Sequence, residues 1–170
     1  MIFNMSIRKN SRGFTIIETI VAITVLVVSV AAPLTLAARG LSSAFFARDQ
    51  ITAFYLTQEA VEFIRNKRDE NVLGEDNWLA EFPATNGDPF TIDVTDGDMD
   101  SCSGTCENLK FNTSTLLYNY NSGDTTRFTR TVSINLLNAT EAEVIVTIAW
   151  TAGLFSRTFS IQENILNWKS

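Results

Sequence analysis

The chain has 170 residues, 45% of them hydrophobic, with 13 basic and 19 acidic residues, no histidine and a net charge of −6. That balance, with no basic stripe anywhere, argues against nucleic acid as a partner, because phosphate binding needs clustered lysine and arginine. No Ser-His-Asp or Cys-His pair can be built and no phosphate-cradling glycine motif is present, so no enzyme, no catalytic residue and no cofactor-binding residue is expected.

The first element is a basic end. Residues 1–13 hold Arg8, Lys9 and Arg12 and no acid, which leaves 10 basic against 19 acidic residues in the remainder, a net of −9. Next comes an apolar run: 26 residues separate Arg12 from Arg39, and Glu18 is the only charged one among them. A membrane span needs about 20 apolar residues, so this run is long enough to cross a bilayer. The basic flank favours a cytoplasmic N-terminus and an extracytoplasmic remainder. The run is also too long for the core of an ordinary cleaved secretory signal, although "AAR" near its far end mimics a cleavage site. A carboxylate inside such a run is costly, about 2.5–3.5 kcal/mol for an unpaired charge near the centre, and neither a signal peptide nor a signal anchor explains Glu18. Pro33 removes one backbone hydrogen bond and is expected to kink or loosen the helix.

After Gly40 the pattern turns amphipathic. Ala53, Leu56, Ala60, Phe63 and Ile64 recur at helical spacing, while Arg48, Asp49, Gln50, Glu59, Glu62 and Arg65 supply polar positions. Arg65, Lys67 and Arg68 suit the negative pole of a helix, "RNKRDE" reads as a solvated end, and Asn71 and Gly74 provide stop signals. One helix from about Phe14 to about Arg68 would run on the order of 80 Å.

From Trp78 onward the period shifts to alternation. Phe90, Ile92 and Val94 line one side of a first strand. Phe128, Val132, Ile134 and Leu136 line a second, interrupted by Arg130; Val144, Val146, Ile148 and Trp150 line a third. Phe155, Phe159 and Ile161 line a fourth, interrupted by Arg157. Short links between the last three predict an antiparallel meander, one face of which lies on the helix. The expected fold class is therefore α+β, a long N-terminal helix packed against a C-terminal antiparallel sheet. Trp168 is expected to return over a sheet edge or the helix in a structural role.

The cysteines, Cys102 and Cys106, stand in "CSGTC". An outward-facing head meets an oxidising compartment, so a disulfide closing a tight loop is expected, with a pair of free thiols as the alternative. Two sulfurs without histidine do not make a zinc site. The weak metal candidate is "DGDMDSCSGTCE": Asp96, Asp98, Asp100 and Glu107 take the first, third, fifth and twelfth places of a calcium loop. Ser101 replaces the glycine such a loop needs for its sharp turn, so a solvated acidic loop is favoured over calcium. Asn112 and Asn138 begin N-x-Ser/Thr triplets, which occur often by chance.

The segment "RGFTIIE" with its basic flank and apolar run resembles the processing motif of type IV prepilins and the related pseudopilins of type II secretion. The resemblance implies a basic prepilin leader at 1–13, cleavage between Gly13 and Phe14 by prepilin peptidase, and methylation of the new Phe14 amine. Glu18 then holds the place of the family's fifth-residue glutamate, which serves assembly. The implied organisation is a transmembrane and filament-core helix at 14–38, the amphipathic half of the stem at 39–70, and a β-rich head at 71–170, the pilin lollipop. "LTQEAVEFIRNKRDENVLGEDNW" further resembles a segment of minor pilins. Implied partners are the peptidase, other pilin or pseudopilin subunits, the inner-membrane assembly platform, and membrane lipid before assembly. The implied location is the bacterial inner membrane, single-pass, then an extracellular or periplasmic filament. The competing expectation is a signal-anchored extracytoplasmic binding or adhesion protein that never polymerises and keeps residues 1–13.

Overall fold

The computed structural model describes residues 13–169, so Arg8, Lys9 and Arg12 of the expected leader lie outside the described residues. Helix α1 (Ile16–Leu73) is followed by strands β1 (Asn86–Ile92), β2 (Met99–Ser101), β3 (Asn108–Asn112), β4 (Leu117–Asn119), β5 (Asp124–Asn138), β6 (Glu141–Ala152) and β7 (Phe155–Leu166). Two compact units divide the chain after Phe45, within α1.

In the first unit every described residue is exposed. Within its apolar run the hydroxyls are turned back on the helix backbone. Thr24, Ser29 and Thr35 donate to the carbonyls of Ile20, Val25 and Ala31 at 2.5, 2.6 and 2.9 Å. Such bonds spare an apolar helix the cost of bare hydroxyls. The helix runs unbroken through Pro33.

The second unit is α+β. Its strands form one seven-stranded sheet, and all its pairings are antiparallel. β5, β6 and β7 make the expected meander; β5 is long enough to pair on its other edge with β1 and then β3. The alternating residues of β6 (Val144, Val146, Ile148 and Trp150) are all buried, with Phe90, Ile92, Phe128, Val132 and Ile134 beside them. They pack on Ala53, Leu56, Ala60, Val61 and Ile64 of the helix in two adjoining clusters. Burying each large aliphatic chain there contributes about 1.5–3 kcal/mol.

Several expectations need correction. Leu136 and Phe155 sit at strand ends and are exposed, so the apolar faces are shorter than their alternation implies. The short strands β2, β3 and β4 have no alternating signal of useful length. α1 also runs to Leu73, beyond the expected end at about Arg68 but stopping just before the Gly74 signal; Asn71 is buried in its last turn and donates to the carbonyl of Ala80 at 2.8 Å. Its end is a Schellman turn in which Asp76 N–H reaches Asn71 C=O at 3.0 Å and Glu75, not Gly74, takes the left-handed φ of 68°. No basic residue stands in the last turn; Lys169 reaches back instead and donates to the Val72 carbonyl at 3.2 Å.

The "RNKRDE" segment is not simply solvated. Arg65 donates to both Glu163 oxygens on β7 at 2.7 and 2.6 Å, and this hydrogen bond is the main reason its pKa is raised. Lys67 pairs with Glu70 and Glu81, and Arg68 pairs with Asp69. Trp168 does return to the helix, where its indole donates to Asp69 at 3.0 Å.

Candidate functional site

The residues singled out in the sequence fall at the start of α1. Gly13, Phe14 and Thr15 precede the helix and are exposed, Phe14 by 76%. Thr15 is the N-cap: its Oγ1 accepts the N–H of Glu18, three residues on, at 3.3 Å. T-x-x-E is the spacing of a capping box, in which the threonine oxygen satisfies an otherwise orphaned N–H. Glu18 also stands in the first turn, where the positive end of the helix dipole favours a carboxylate. Thr15 was missed from the sequence although that spacing marks it.

The carboxylate of Glu18 has no partner among the described residues, and the apolar chains that follow it up to Leu41 are exposed. Ile16, Leu26 and Leu36 expose 82, 67 and 68% of their surface. α1 is long and apolar enough to cross a membrane, and the apolar window that qualifies it has none of its residues buried. A surface this apolar on all sides cannot be left to water and needs lipid or other apolar helices around it.

A family model described as the prokaryotic N-terminal methylation motif matches residues 8–32. The chain carries the prepilin signature. The match takes in Arg8, Lys9, Arg12, Gly13, Phe14 and Glu18, ends just before Pro33, and includes no residue of the sheet. Proteins with this signature are structural rather than enzymatic, and the exposed helix that follows it here fits a pilin-type subunit. Comparison with curated proteins and with solved structures finds no significant match.

The other candidates lie far along the sequence from this end. Cys102 and Cys106 are joined in a disulfide. Asp100 and Glu107 share a cavity of about 310 Å³ with that disulfide and Tyr120. Asp96 is engaged otherwise: one oxygen accepts the N–H of Asp98 at 3.1 Å and the other takes the Asn121 amide. Among the described residues no three carboxylates or cysteines converge as metal ligands, so the loop offers calcium no ready cluster.

Sequence reading also missed the polar clamp between α1 and the sheet. Arg130, which interrupts the apolar face of β5, is fully buried rather than turned away. Its guanidinium donates to Glu59 at 2.7 Å and to the carbonyls of Leu56 and Ile92 at 3.3 and 2.5 Å. Asp49, read as a polar position, is buried too and accepts from Arg127 at 2.5 Å. With Arg65 and Glu163, these pairs fasten the helix to β5 and β7 at three levels.

Proposed function

We propose that the protein is a structural subunit of a type IV pilus or a related type II secretion pseudopilus. It is inserted in the inner membrane by its apolar helix, with the basic leader inside and the sheet domain outside. Prepilin peptidase cuts between Gly13 and Phe14 and methylates the new amine. The subunit then leaves the bilayer through the assembly platform and packs its helix among those of other subunits. The observation that supports this reading is the prepilin signature at 8–32 overlapping the start of a helix whose apolar, span-length window has no buried residue.

Glu18 has the central role in assembly. In the bilayer it lies near the edge, where a charge is tolerable; in a filament it accepts the Phe14 amine of a neighbouring subunit inside an apolar bundle. Removing one partner of such a pair costs about 3–5 kcal/mol. Thr15 holds the turn that aims the carboxylate, and Pro33 gives the helix a place to bend as subunits pack. The Cys102–Cys106 bridge pins the acidic loop of the head.

Glu18→Val tests the assignment. The variant is expected to be cut at Gly13 but to stay in the membrane fraction, while the wild type appears in filaments sheared from cells. A Glu18→Val protein that enters sheared filaments as well as the wild type would show that the carboxylate has no such role.

A further inference from the structure

The β6–β7 hairpin ends in an apolar tip that its own geometry does not require. Gly153 has φ 64° at the first of the two turn positions, which is what such a tight turn demands of its glycine. The second position is Leu154, 97% exposed, where a polar residue would serve the turn equally well. Phe155 is 68% exposed beside it and Phe46 of the helix 40%, and the Arg157 guanidinium lies over both rings at 5.7 and 5.3 Å from their centres. A single exposed leucine is ordinary, but three large apolar chains grouped about an arginine form a patch.

The patch has a definite place in the second unit. β7 runs alongside α1 in the same direction: Arg157 meets Phe46, Phe159 meets Phe54, Glu163 meets Arg65, and Trp168 meets Asp69. The tip is therefore at the end where the chain enters this unit. Phe46 stands seven residues after Arg39, the end of the apolar run, a reach of at most about 25 Å whatever the path. The charge at this end is reversed from that of the chain as a whole. Arg48, Arg127 and Arg157 gather here, the buried Asp49 carboxylate takes Arg127 and Arg48, and Lys110 and Asp124 add one charge of each sign. The far hairpin, between β5 and β6, also exposes a leucine, Leu137, but stands beside Glu141 and Glu143.

We infer that the β6–β7 tip is a second, shallow membrane contact, in which Leu154 and Phe155 enter the interface of the bilayer holding the precursor while Arg48, Arg127 and Arg157 meet anionic headgroups. This rests on the membrane insertion proposed above. Apolar chains flanked by arginines are the composition that binds such an interface, and tethering by the span raises the local concentration of lipid at the tip. The contact would hold the waiting subunit against the outer leaflet and would be given up on extraction.

The test uses the full chain in vesicles of phosphatidylcholine, with and without phosphatidylglycerol. Nitroxide labels are placed at Leu154→Cys, Leu137→Cys and Val25→Cys, and each is probed by collision with oxygen and with a water-soluble nickel chelate. The Leu154 label is expected to favour oxygen severalfold over the Leu137 label, more strongly with the anionic lipid, and Arg157→Gln is expected to reduce that increment. If Val25 is in lipid while Leu154 is as open to nickel as Leu137, the tip contact is wrong and the membrane reading stands. If Leu154 is shielded from both reagents, it is docked on protein and the lipid contact is overturned. If Val25 is itself open to nickel, membrane insertion fails and the tip contact falls with it.

Discussion

The two halves of α1 solve opposite problems with one backbone. Before Phe45 the helix is apolar over most of its length, and every one of its described residues is exposed. After Phe46 it buries Ala53, Leu56, Ala60 and Ile64, and also Asp49, against the sheet. The first half shows apolar surface; the second has its partner built in, down to the charges. An exposed apolar half needs an apolar environment around it, and the proposed function supplies two in turn, lipid and then other helices, whereas the second half is clamped in place by its own ion pairs.

Breaking the clamp gives the largest effect. Arg130→Ala leaves Glu59 and the Ile92 carbonyl without their buried donor and is expected to lower stability by about 3–5 kcal/mol. The loss is read from urea unfolding of the detergent-solubilised chain, followed by tryptophan fluorescence. Glu18→Val should leave the same transition unchanged, because that residue is exposed.

Apolar truncation sharpens the contrast. Ile64 is 1% exposed, so Ile64→Ala is expected to cost about 2–5 kcal/mol in that assay. Val25 exposes 61%, and Val25→Ala should change the transition by less than about 0.5 kcal/mol. Equal shifts for the two would mean that Val25 is as buried in the folded chain as Ile64.

The smallest effect is an acid limb at the helix end. The Trp168 indole hydrogen bond is the main cause that holds the Asp69 carboxyl below its ordinary value; burial opposes it and Arg68 adds to it. A lowered pKa means stability that is present above the unfolded value, about 3.9, and is lost as pH falls through the folded one. Urea midpoints below pH 5 should therefore fall less steeply in Trp168→Phe than in the wild type. Identical slopes would show that the bond does not stabilise the ionised form.

Much of this was legible in the sequence, for identifiable reasons. Helix and meander have long, regular periods, so their existence, order and buried faces followed from residues such as Leu56, Ile64, Val144 and Ile148. The processing motif was legible because it is local, a few residues about Gly13. What failed was everything set by a distant partner. Arg130 looked like an interruption and Asp49 like an ordinary polar position because charge ordinarily points to solvent, and only the apposition of β5 on α1 supplies their counter-charges. The helix ran beyond its expected end at about Arg68, and Asn71 in its last turn found carbonyls in the next loop. Strands β2 to β4 are three to five residues long, too short to carry a period.

The central claim is that the exposed half of α1 is retained and begins at a new, modified amine. Intact mass of the protein extracted from membranes tests it most directly. The account predicts a chain beginning at Phe14 and carrying one added methyl group. A chain that still begins at Met1 would contradict it and leave a signal-anchored protein in its place.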